Sequence, residues 1–169
     1  MEIRAEGLVV RAPLCASEQQ IRDFMGHHRQ WIVKHLQKME QWQQRAAEVP
    51  VLTEDELRQL ADRARQYIPE RVRYYAPKVG VTYGRITIRS QRSKWGSCSG
   101  KGNLNFNCLL MLAPPEVIDS VVVHELCHRK EMNHSEVFYA QVLRVFPEYN
   151  KWNRWLKENG PGLMLRRKR

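Results

Sequence analysis

The chain has 169 residues, 43% of them hydrophobic with five Trp and six Tyr, and a formal net charge of +10. This length suits one compact domain with a real core, and the apolar and aromatic content excludes a disordered chain of high charge. Its apolar runs, at residues 108–113 and 121–123, fall far short of the roughly 20 residues that a membrane-spanning helix needs.

The first fifty residues predict a hairpin and a long helix. Residues 2–12 contain two short apolar stretches around Glu6-Gly7, which predicts two strands joined by a turn. Ser17 and Gln20 have the spacing of a helix-capping box, and apolar residues then recur at helical spacing, so we expect one helix reaching residue 46. This helix carries three histidines that we interpret as surface residues rather than ligands: His27, His28 and His35.

The middle of the chain predicts a second helix and two strands. Thr53 and Glu56 form another capping-box pattern, and Pro69 is expected to kink or restart the helix that follows. Alternating apolar and polar residues predict strands within 81–89 and 103–107. The segment between them, SKWGSCSGKG, is so rich in Gly and Ser that we expect a loop without regular structure.

Three helices are predicted in the last third of the chain. Pro114-Pro115 suits the first turn of a helix, where a missing N–H costs nothing. Ser135 has the character of an N-cap for the next helix. A final helix is expected to begin near Pro147 and to end at Gly160-Pro161.

The cysteines and the N-terminus suggest where the protein works. The four cysteines include no C-x-x-C pair, which argues against a zinc ribbon or a dense disulfide framework. The N-terminus lacks the basic start, apolar block and cleavage site of a secretory signal. We therefore expect a cytoplasmic protein with reduced thiols and no membrane partner.

Positive charge is concentrated in two segments. Residues 91–113 carry Arg92, Lys94 and Lys101 without an acid, and residues 161–169 carry four basic residues without one, so together they hold seven of the ten excess charges. A solvated basic tail is the simpler interpretation of residues 161–169. Contact of this loop and tail with nucleic acid is the alternative.

The helix that begins near Pro115 carries the pattern HELCH at residues 124–128. Because His124 and His128 are four residues apart, they share one helix face and can both reach one zinc ion at about 2.0–2.1 Å. Glu125 is rotated about 100° from His124, so it can lean over a water on the metal as a general base. The pattern predicts hydrolysis of a peptide or related amide.

A third histidine follows the pattern, His134. It can join the site only if the chain turns back before Ser135, and Met132-Asn133 offers that turn because Asn tolerates a left-handed conformation. Three histidines with an open fourth position are typical of catalytic zinc. Glu148 is the rival third ligand, although Pro147 before it suggests a surface acid at a helix start.

Four motifs together resemble the YgjP-like metallopeptidase family of predicted zinc-dependent hydrolases, which are related to the SprT-like proteases. They are SKWGSC, NLNFN, LAPPEVIDSVVVHELCH and MNHSEVFY, and they lie between residues 93 and 139. The resemblance is strong over residues 81–158 and weaker over 1–46. It implies that His124, His128 and His134 are the metal ligands and that Glu125 is the catalytic glutamate.

The resemblance also implies a fold. It is an α+β fold, a small zincin-like domain in which a short mixed sheet packs on the helix of the HExxH pattern, with further helices. In zincins the strand that borders the cleft pairs with an extended substrate, which implies such a role for one strand here. Its residues are Leu104, Asn105, Phe106 and Asn107.

The role of SKWGSC does not follow from the resemblance. We interpret Trp95 as the buried anchor of a loop, and a wall of the cleft is the alternative. Cys98 and Cys127 are weak candidates as metal ligands, because Cys127 is rotated about 100° from His128 and Cys98 has no partner at a ligand spacing.

The leading hypothesis is a zinc-dependent metallopeptidase of 169 residues in a single domain, acting on peptides or proteins. Within it, we expect an N-terminal hairpin and helix over 1–50, a catalytic core over 81–158 and a basic tail over 161–169. The alternatives are a nucleic-acid-associated SprT-like protease and a zinc-binding interaction module without turnover.

Overall fold

The computed structural model describes residues 1–4, 7–13, 15–47 and 50–167. The chain forms two compact units, Met1–Pro50 and Val51–Arg169. The prediction of one domain over the whole chain stays a prediction.

The first unit contains a hairpin and two helices. Strands β1 (Glu2–Arg4) and β2 (Gly7–Val9) pair antiparallel as expected, while Glu6 of the predicted turn lies outside the described residues. Helix α1 (Glu18–His27) has the predicted capping box at its start. Helix α2 spans Arg29–Ala47.

The prediction of one long helix in this unit is wrong, because the helix breaks at His28. The backbone there leaves the helical conformation, at φ −101° and ψ 10°. Gly26 weakens the last turn of α1, since glycine is a poor helix former. The His28 imidazole also lies 2.8 Å from the Phe24 carbonyl, where it competes with the backbone for that acceptor. The imidazoles of His27 and His28 are exposed, as the surface interpretation requires.

The second unit begins with helix α3 (Glu54–Val79), which does not restart at Pro69 as one alternative predicted. The helix continues through Pro69 and Pro77 because it has buried residues on both sides of Pro69. These residues are Ala64, Ile68, Val72 and Val79. That burial offsets the roughly 3 kcal/mol that an interior proline costs a helix.

Three strands form a small mixed sheet. They are β3 (Ile86–Arg89), β4 (Gly96–Cys98) and β5 (Leu104–Asn107), in the order β3-β5-β4, with β3 parallel and β4 antiparallel to β5. The predicted strands at 81–89 and 103–107 are confirmed in part, since regular pairing begins only at Ile86 and Leu104. The prediction of an irregular loop over SKWGSC is wrong, because its Gly-Ser-Cys pairs with β5.

The prediction that residues 104–107 form an edge strand for substrate is also wrong. Strand β5 is the central strand, so β3 and β4 already pair with the main chain of Leu104, Asn105, Phe106 and Asn107 on both sides. Three of these four residues have no exposed surface. The edge that lies nearest the candidate site is β4.

A 3-10 helix (Cys108–Leu112) leads from the sheet to helix α4 (Pro115–Cys127), where Pro115 occupies the first helical position as predicted. Helix α5 (Glu136–Val145) is capped by Ser135, also as predicted. A paired carboxylate joins α4 to α3: Asp119 accepts hydrogen bonds of 2.6 and 2.7 Å from Arg71.

Helix α6 (Tyr149–Leu165) does not end at Gly160-Pro161 as predicted. Gly160 is buried against Trp95, where a Cβ atom would lie only 3.0 Å from Cζ2 of the indole. This packing holds the last turns of the helix on the unit despite the poor helix formers at 160 and 161. The expected buried anchor role of Trp95 is consistent with this contact, since its side chain is half-buried.

The prediction of a basic tail over residues 161–169 is wrong for residues 161–167, which are part of the folded unit. Residues 161–165 belong to α6, the Arg166 carbonyl accepts a hydrogen bond of 2.7 Å from the Leu52 N–H, and Arg167 pairs with Leu52 in a parallel bridge. Backbone pairing therefore fixes this segment to the start of the second unit. Lys168 and Arg169 lie outside the described residues.

The fold is α+β, as expected, with the core formed by α3, α4 and β5. Within the ranges that the structure describes, no helix combines the length and the apolar character needed to cross a membrane.

Candidate metal centre

Three imidazoles meet where α4 ends. His124 and His128 lie one turn apart at its end, and His134 lies in the segment before α5. Nε2 of His124 is 3.2 Å from Nε2 of His128 and 3.0 Å from Nε2 of His134. One nitrogen from each ring lies within 4.8 Å of the other two. The structure thus brings together the three histidines that the sequence singled out.

The spacing of these nitrogens fits a shared cation. Two ligands at about 2.05 Å from a tetrahedral zinc lie about 3.3 Å apart, close to the 3.2 and 3.0 Å that separate Nε2 of His124 from Nε2 of the other two histidines. Three unprotonated Nε2 atoms at such distances could not all be satisfied by hydrogen bonds to each other, since each hydrogen bond needs one donor. A cation satisfies all three lone pairs. The donor set, three imidazole nitrogens, is one that suits zinc.

Contacts on the far side of two rings orient them. Nδ1 of His128 lies 3.0 Å from the Glu131 carbonyl oxygen, which can only accept, so Nδ1 carries the proton and Nε2 keeps its lone pair. Nδ1 of His124 lies 2.8 Å from the hydroxyl group of Tyr149, the first residue of α6. Such partners fix the ring orientation of metal-ligating histidines.

Phe138 packs against the imidazoles from α5. Its ring centroid lies 4.9, 4.6 and 5.1 Å from those of His124, His128 and His134, and its side chain has no exposed surface. Sequence reasoning missed Phe138 and Tyr149 as parts of the site. The one available signal for Phe138 was the apolar face of the helix that Ser135 caps.

The turn that delivers His134 differs from the prediction. Among the described residues, no residue other than glycine has a positive φ, so Asn133 is not left-handed. Instead, the N–H groups of Lys130 and Glu131 both donate to the Cys127 carbonyl, and the Glu131 side chain accepts a hydrogen bond of 3.2 Å from the Asn133 N–H. Glu131 therefore shapes the turn with its side chain and orients His128 with its carbonyl.

The surroundings of His124 and His128 keep these two imidazoles uncharged. Burial, with His128 and His134 close by, lowers the pKa of His124 to about 3. Burial also lowers the pKa of His128. Both histidines are therefore neutral at physiological pH, which is the form that binds a metal.

Glu125 lies beside the cluster and is 6% exposed. Burial raises the pKa of its carboxyl group to about 8, although the positive charge of Lys94 acts in the opposite direction. The carboxyl group faces a pocket of about 250 Å³. This pocket is lined by residues of three segments: Lys94, Trp95, Gly96, Ser120, Val121, His124, Glu125, Tyr149, Asn153 and Leu156.

Strand β4 covers Glu125 at very close range. A Cβ atom on Gly96 would lie 2.6 Å from Oε1 of Glu125 and 2.7 Å from its Cγ, so only glycine fits there. This contact explains the glycine of the SKWGSC motif and makes the motif one wall of the pocket. The segment is held in place by Asn107, whose Nδ2 donates to the carbonyls of Gln91 and Lys94 at 2.9 and 3.0 Å.

The other candidate ligands lie apart from the cluster. Glu148 is exposed and forms an ion pair of 3.1 Å with Lys151. The thiol of Cys127 is buried, and burial raises its pKa to about 11, while burial and the charge of Glu125 raise the pKa of Cys98. Neither thiol belongs to the group of potential ligands that the described residues form.

The three-histidine cluster at the end of a helix in this α+β fold fits a zincin-like metal site. The model of the YgjP-like metallopeptidase domain matches residues 1–58 and 53–159. The chain belongs to the YgjP-like metallopeptidase family.

A solved structure with a similar chain is the crystal structure of the metallopeptidase zymogen abylysin of Pyrococcus abyssi. The two chains are 21% identical, with a TM-score of 0.49, and the match covers 54% of this chain and 93% of that one. Comparison with curated protein sequences gives no match.

Proposed function

We propose that this protein is a zinc-dependent metallopeptidase that hydrolyses peptide bonds in peptides or proteins. The observation that carries the proposal is the convergence of three imidazole nitrogens beside the buried carboxyl group of Glu125. His124, His128 and His134 would hold the ion. Zinc bound by three histidines activates water and polarises a carbonyl group.

Glu125 is the proposed general base. Burial raises its pKa to about 8 in the metal-free chain, and a cation held by the three histidines would lower this pKa towards neutral pH, where a carboxylate can accept a proton and return it during one reaction cycle. In this role Glu125 takes the proton of the attacking water and passes it to the leaving amine. The pocket that it faces gives a substrate access to the carboxyl group.

Strand β4 is the proposed binding edge for an extended substrate. It is an outer strand of the sheet, and Gly96 at its start lines the pocket beside Glu125. An extended peptide that pairs with Gly96–Cys98 would use main-chain hydrogen bonds, which tolerate many side chains. This edge takes the place of the one predicted at residues 104–107.

We also propose that the protein works in the cytoplasm. All four cysteines are free thiols, and Cys108 and Cys127 are buried. Unpaired thiols are typical of proteins from a reducing compartment.

The test is the variant Glu125→Gln, assayed on an unfolded protein such as casein. We expect it to retain zinc and to lose about 10²- to 10⁴-fold in turnover, because the general base is lost while the ligands remain. A matched control is Glu136→Gln, which neutralises an exposed acid at the start of α5 and should leave activity unchanged.

Two results would contradict the proposal in different ways. Equal activity of the Glu125→Gln variant and the parent would remove Glu125 as the base. A zinc-loaded parent that cuts no unfolded protein under any condition would instead support the alternative of an interaction module without turnover.

A further inference from the structure

A second concave surface of the Val51–Arg169 unit lies between the first half of α3, the end of β3 and Arg167. It is a groove of about 600 Å³, and it shares no lining residue with the pocket beside Glu125. We call it the arginine groove after the five arginines in its lining: Arg58, Arg65, Arg89, Arg92 and Arg167.

These arginines come from separate parts of the sequence. Arg58 and Arg65 are seven residues apart on α3, so they lie on one face two turns apart. Arg89 ends β3, and Arg92 follows in the loop. Arg167 is fixed beside them by the backbone pairing of its segment with Leu52. The two basic segments of the sequence therefore each contribute a residue to one groove.

The groove has more positive charge than its acids neutralise, because five arginines line it and only two acids do, Glu54 and Asp62. Arg58 pairs with Asp55 at 3.2 Å and Arg65 with Asp62, both on the exposed surface of α3. Within the part of the chain that the structure describes, no ion pair involves Arg89, Arg92 or Arg167. Guanidinium groups are positively charged at physiological pH, so these three side chains attract anions.

The lining also indicates the kind of anion. Seven of its twelve residues are charged and none is aromatic, whereas pockets for small organic ligands are mostly apolar. All the cationic residues are arginines, whose planar fork of donors matches the oxygens of phosphate groups. A basic groove that follows the backbone is how proteins hold single strands without sequence preference.

We propose that the arginine groove binds the sugar–phosphate backbone of single-stranded nucleic acid. The absence of aromatic residues from the lining means that bases do not stack there, so binding depends on charge and has little sequence preference. A groove rather than a broad convex face favours one strand over a duplex.

The test uses a fluorescent oligothymidine of about 20 nucleotides and fluorescence anisotropy at several salt concentrations. The groove variant is Arg89→Gln/Arg92→Gln/Arg167→Gln. The matched control is Arg63→Gln/Arg73→Gln/Arg154→Gln, which removes the same charge from exposed arginines that do not line the groove.

We expect the groove variant to bind at least about 10-fold more weakly than the parent. The slope of log affinity against log salt should fall in magnitude by about 2, at about 0.7 for each of three lost phosphate contacts. The control should stay within about twofold of the parent. Zinc content and melting temperature, measured on all three proteins, separate a loss of binding from a loss of folding.

Four outcomes would overturn the proposal. They are no binding by the parent, equal weakening in both triple variants, competition by polyglutamate as strong as by unlabelled oligonucleotide, and displacement by micromolar inorganic triphosphate. The second would show a dependence on net charge alone. The third would indicate an acidic peptide, and the fourth a small-anion site. None of these results depends on peptidase activity, so the metallopeptidase proposal is judged separately.

Discussion

The hydroxyl group of Tyr149 lies 2.8 Å from Nδ1 of His124, on the side of the ring away from the other two histidines. Tyr149 is 4% exposed, so water does not readily replace this contact. A buried partner of this kind holds a ligating imidazole in the correct orientation and tautomer. Tyr149 is thus a positioning residue for the proposed metal centre.

The variant Tyr149→Phe should weaken zinc binding about 10- to 100-fold, because it removes the hydrogen bond and leaves the ring in place. Competition with a chromophoric chelator measures this affinity. Tyr139→Phe is the control, since Tyr139 lies near the cluster but is exposed. Equal zinc affinity of Tyr149→Phe and the parent would show that the contact does not orient His124.

Glu125 also affects stability. Its carboxyl group has an ordinary pKa of 4.5 and a folded pKa of about 8. Above pH 4.5 the unfolded chain gives up this proton while the folded chain keeps it, so the metal-free fold loses stability as the pH rises. The loss grows between pH 4.5 and about 8 and is absent below that range.

Glu125→Gln should therefore stabilise the metal-free chain at pH 7, by about 3 kcal/mol relative to the parent. Urea unfolding in the presence of a chelator measures the difference. At pH 4.5 the two proteins should be nearly equal. A difference that does not change with pH would mean that the carboxyl group titrates normally.

The sequence predicted the residues of the site that lie close together along the chain. The spacing of His124, Glu125 and His128 follows from helix geometry alone. Tyr149 was not predictable, because it lies 21 residues beyond His128 and reaches the site only through the packing of α6 on α4. The same packing leaves its neighbour Glu148 on the surface.

At the scale of elements, β4 packs closely on α4 where Gly96 meets the side chain of Glu125, and this contact positions the carboxyl group at the pocket. Gly96→Ala would place a methyl group 2.6 Å from Oε1 of Glu125. We expect a loss of about 1–3 kcal/mol in stability and a large loss of activity, because either the strand or the carboxyl group must move.

Gly100→Ala provides the control for this variant. A Cβ atom at Gly100 meets nothing within 4 Å, so the same substitution should have little effect there. Urea unfolding and casein hydrolysis measure the two consequences. If both alanine variants behave like the parent, β4 and α4 do not make the close contact described.

The elements that the sequence did not predict depend on partners far along the chain. Strand β4 has only three residues, two of them Gly and Ser, and its pairing with β5 makes it a strand. Helix α6 passes Gly160 because Trp95 packs there. Capping boxes at Ser17 and Thr53 were predictable because all their atoms lie within four residues.

At the scale of the whole molecule, bound zinc should stabilise the folded state against unfolding. A ligand present at 100 times its dissociation constant stabilises the folded state by about 2.7 kcal/mol, which raises the melting temperature of a chain of this size by roughly 5–10 °C. Calorimetry at pH 7.5 with and without a chelator measures the shift. No shift would mean that the folded chain binds no metal.

Acid should remove this stabilisation. The pKa values of His124 and His128 lie below 6.5 in the folded metal-free chain, so only the unfolded chain gains protons there as the pH first falls below 6.5. The metal-free fold therefore loses stability on acidification, and protons compete with zinc for the imidazoles. We expect zinc release below about pH 5–6, measured by dialysis and metal analysis. Full zinc occupancy at pH 4 would contradict three histidine ligands.

The segment that runs from the end of β3 to the start of β4 lines both concave surfaces of the second unit: Arg89 and Arg92 line the arginine groove, and Lys94 to Gly96 line the pocket. A nucleic-acid strand bound in the arginine groove would therefore lie close to a peptide bound beside Glu125. A protein that is already bound to the nucleic acid in the groove would reach β4 at a millimolar effective concentration, even if its own chain pairs only weakly with β4. Such an enzyme would choose its targets by their location rather than by the residues around the cleaved bond.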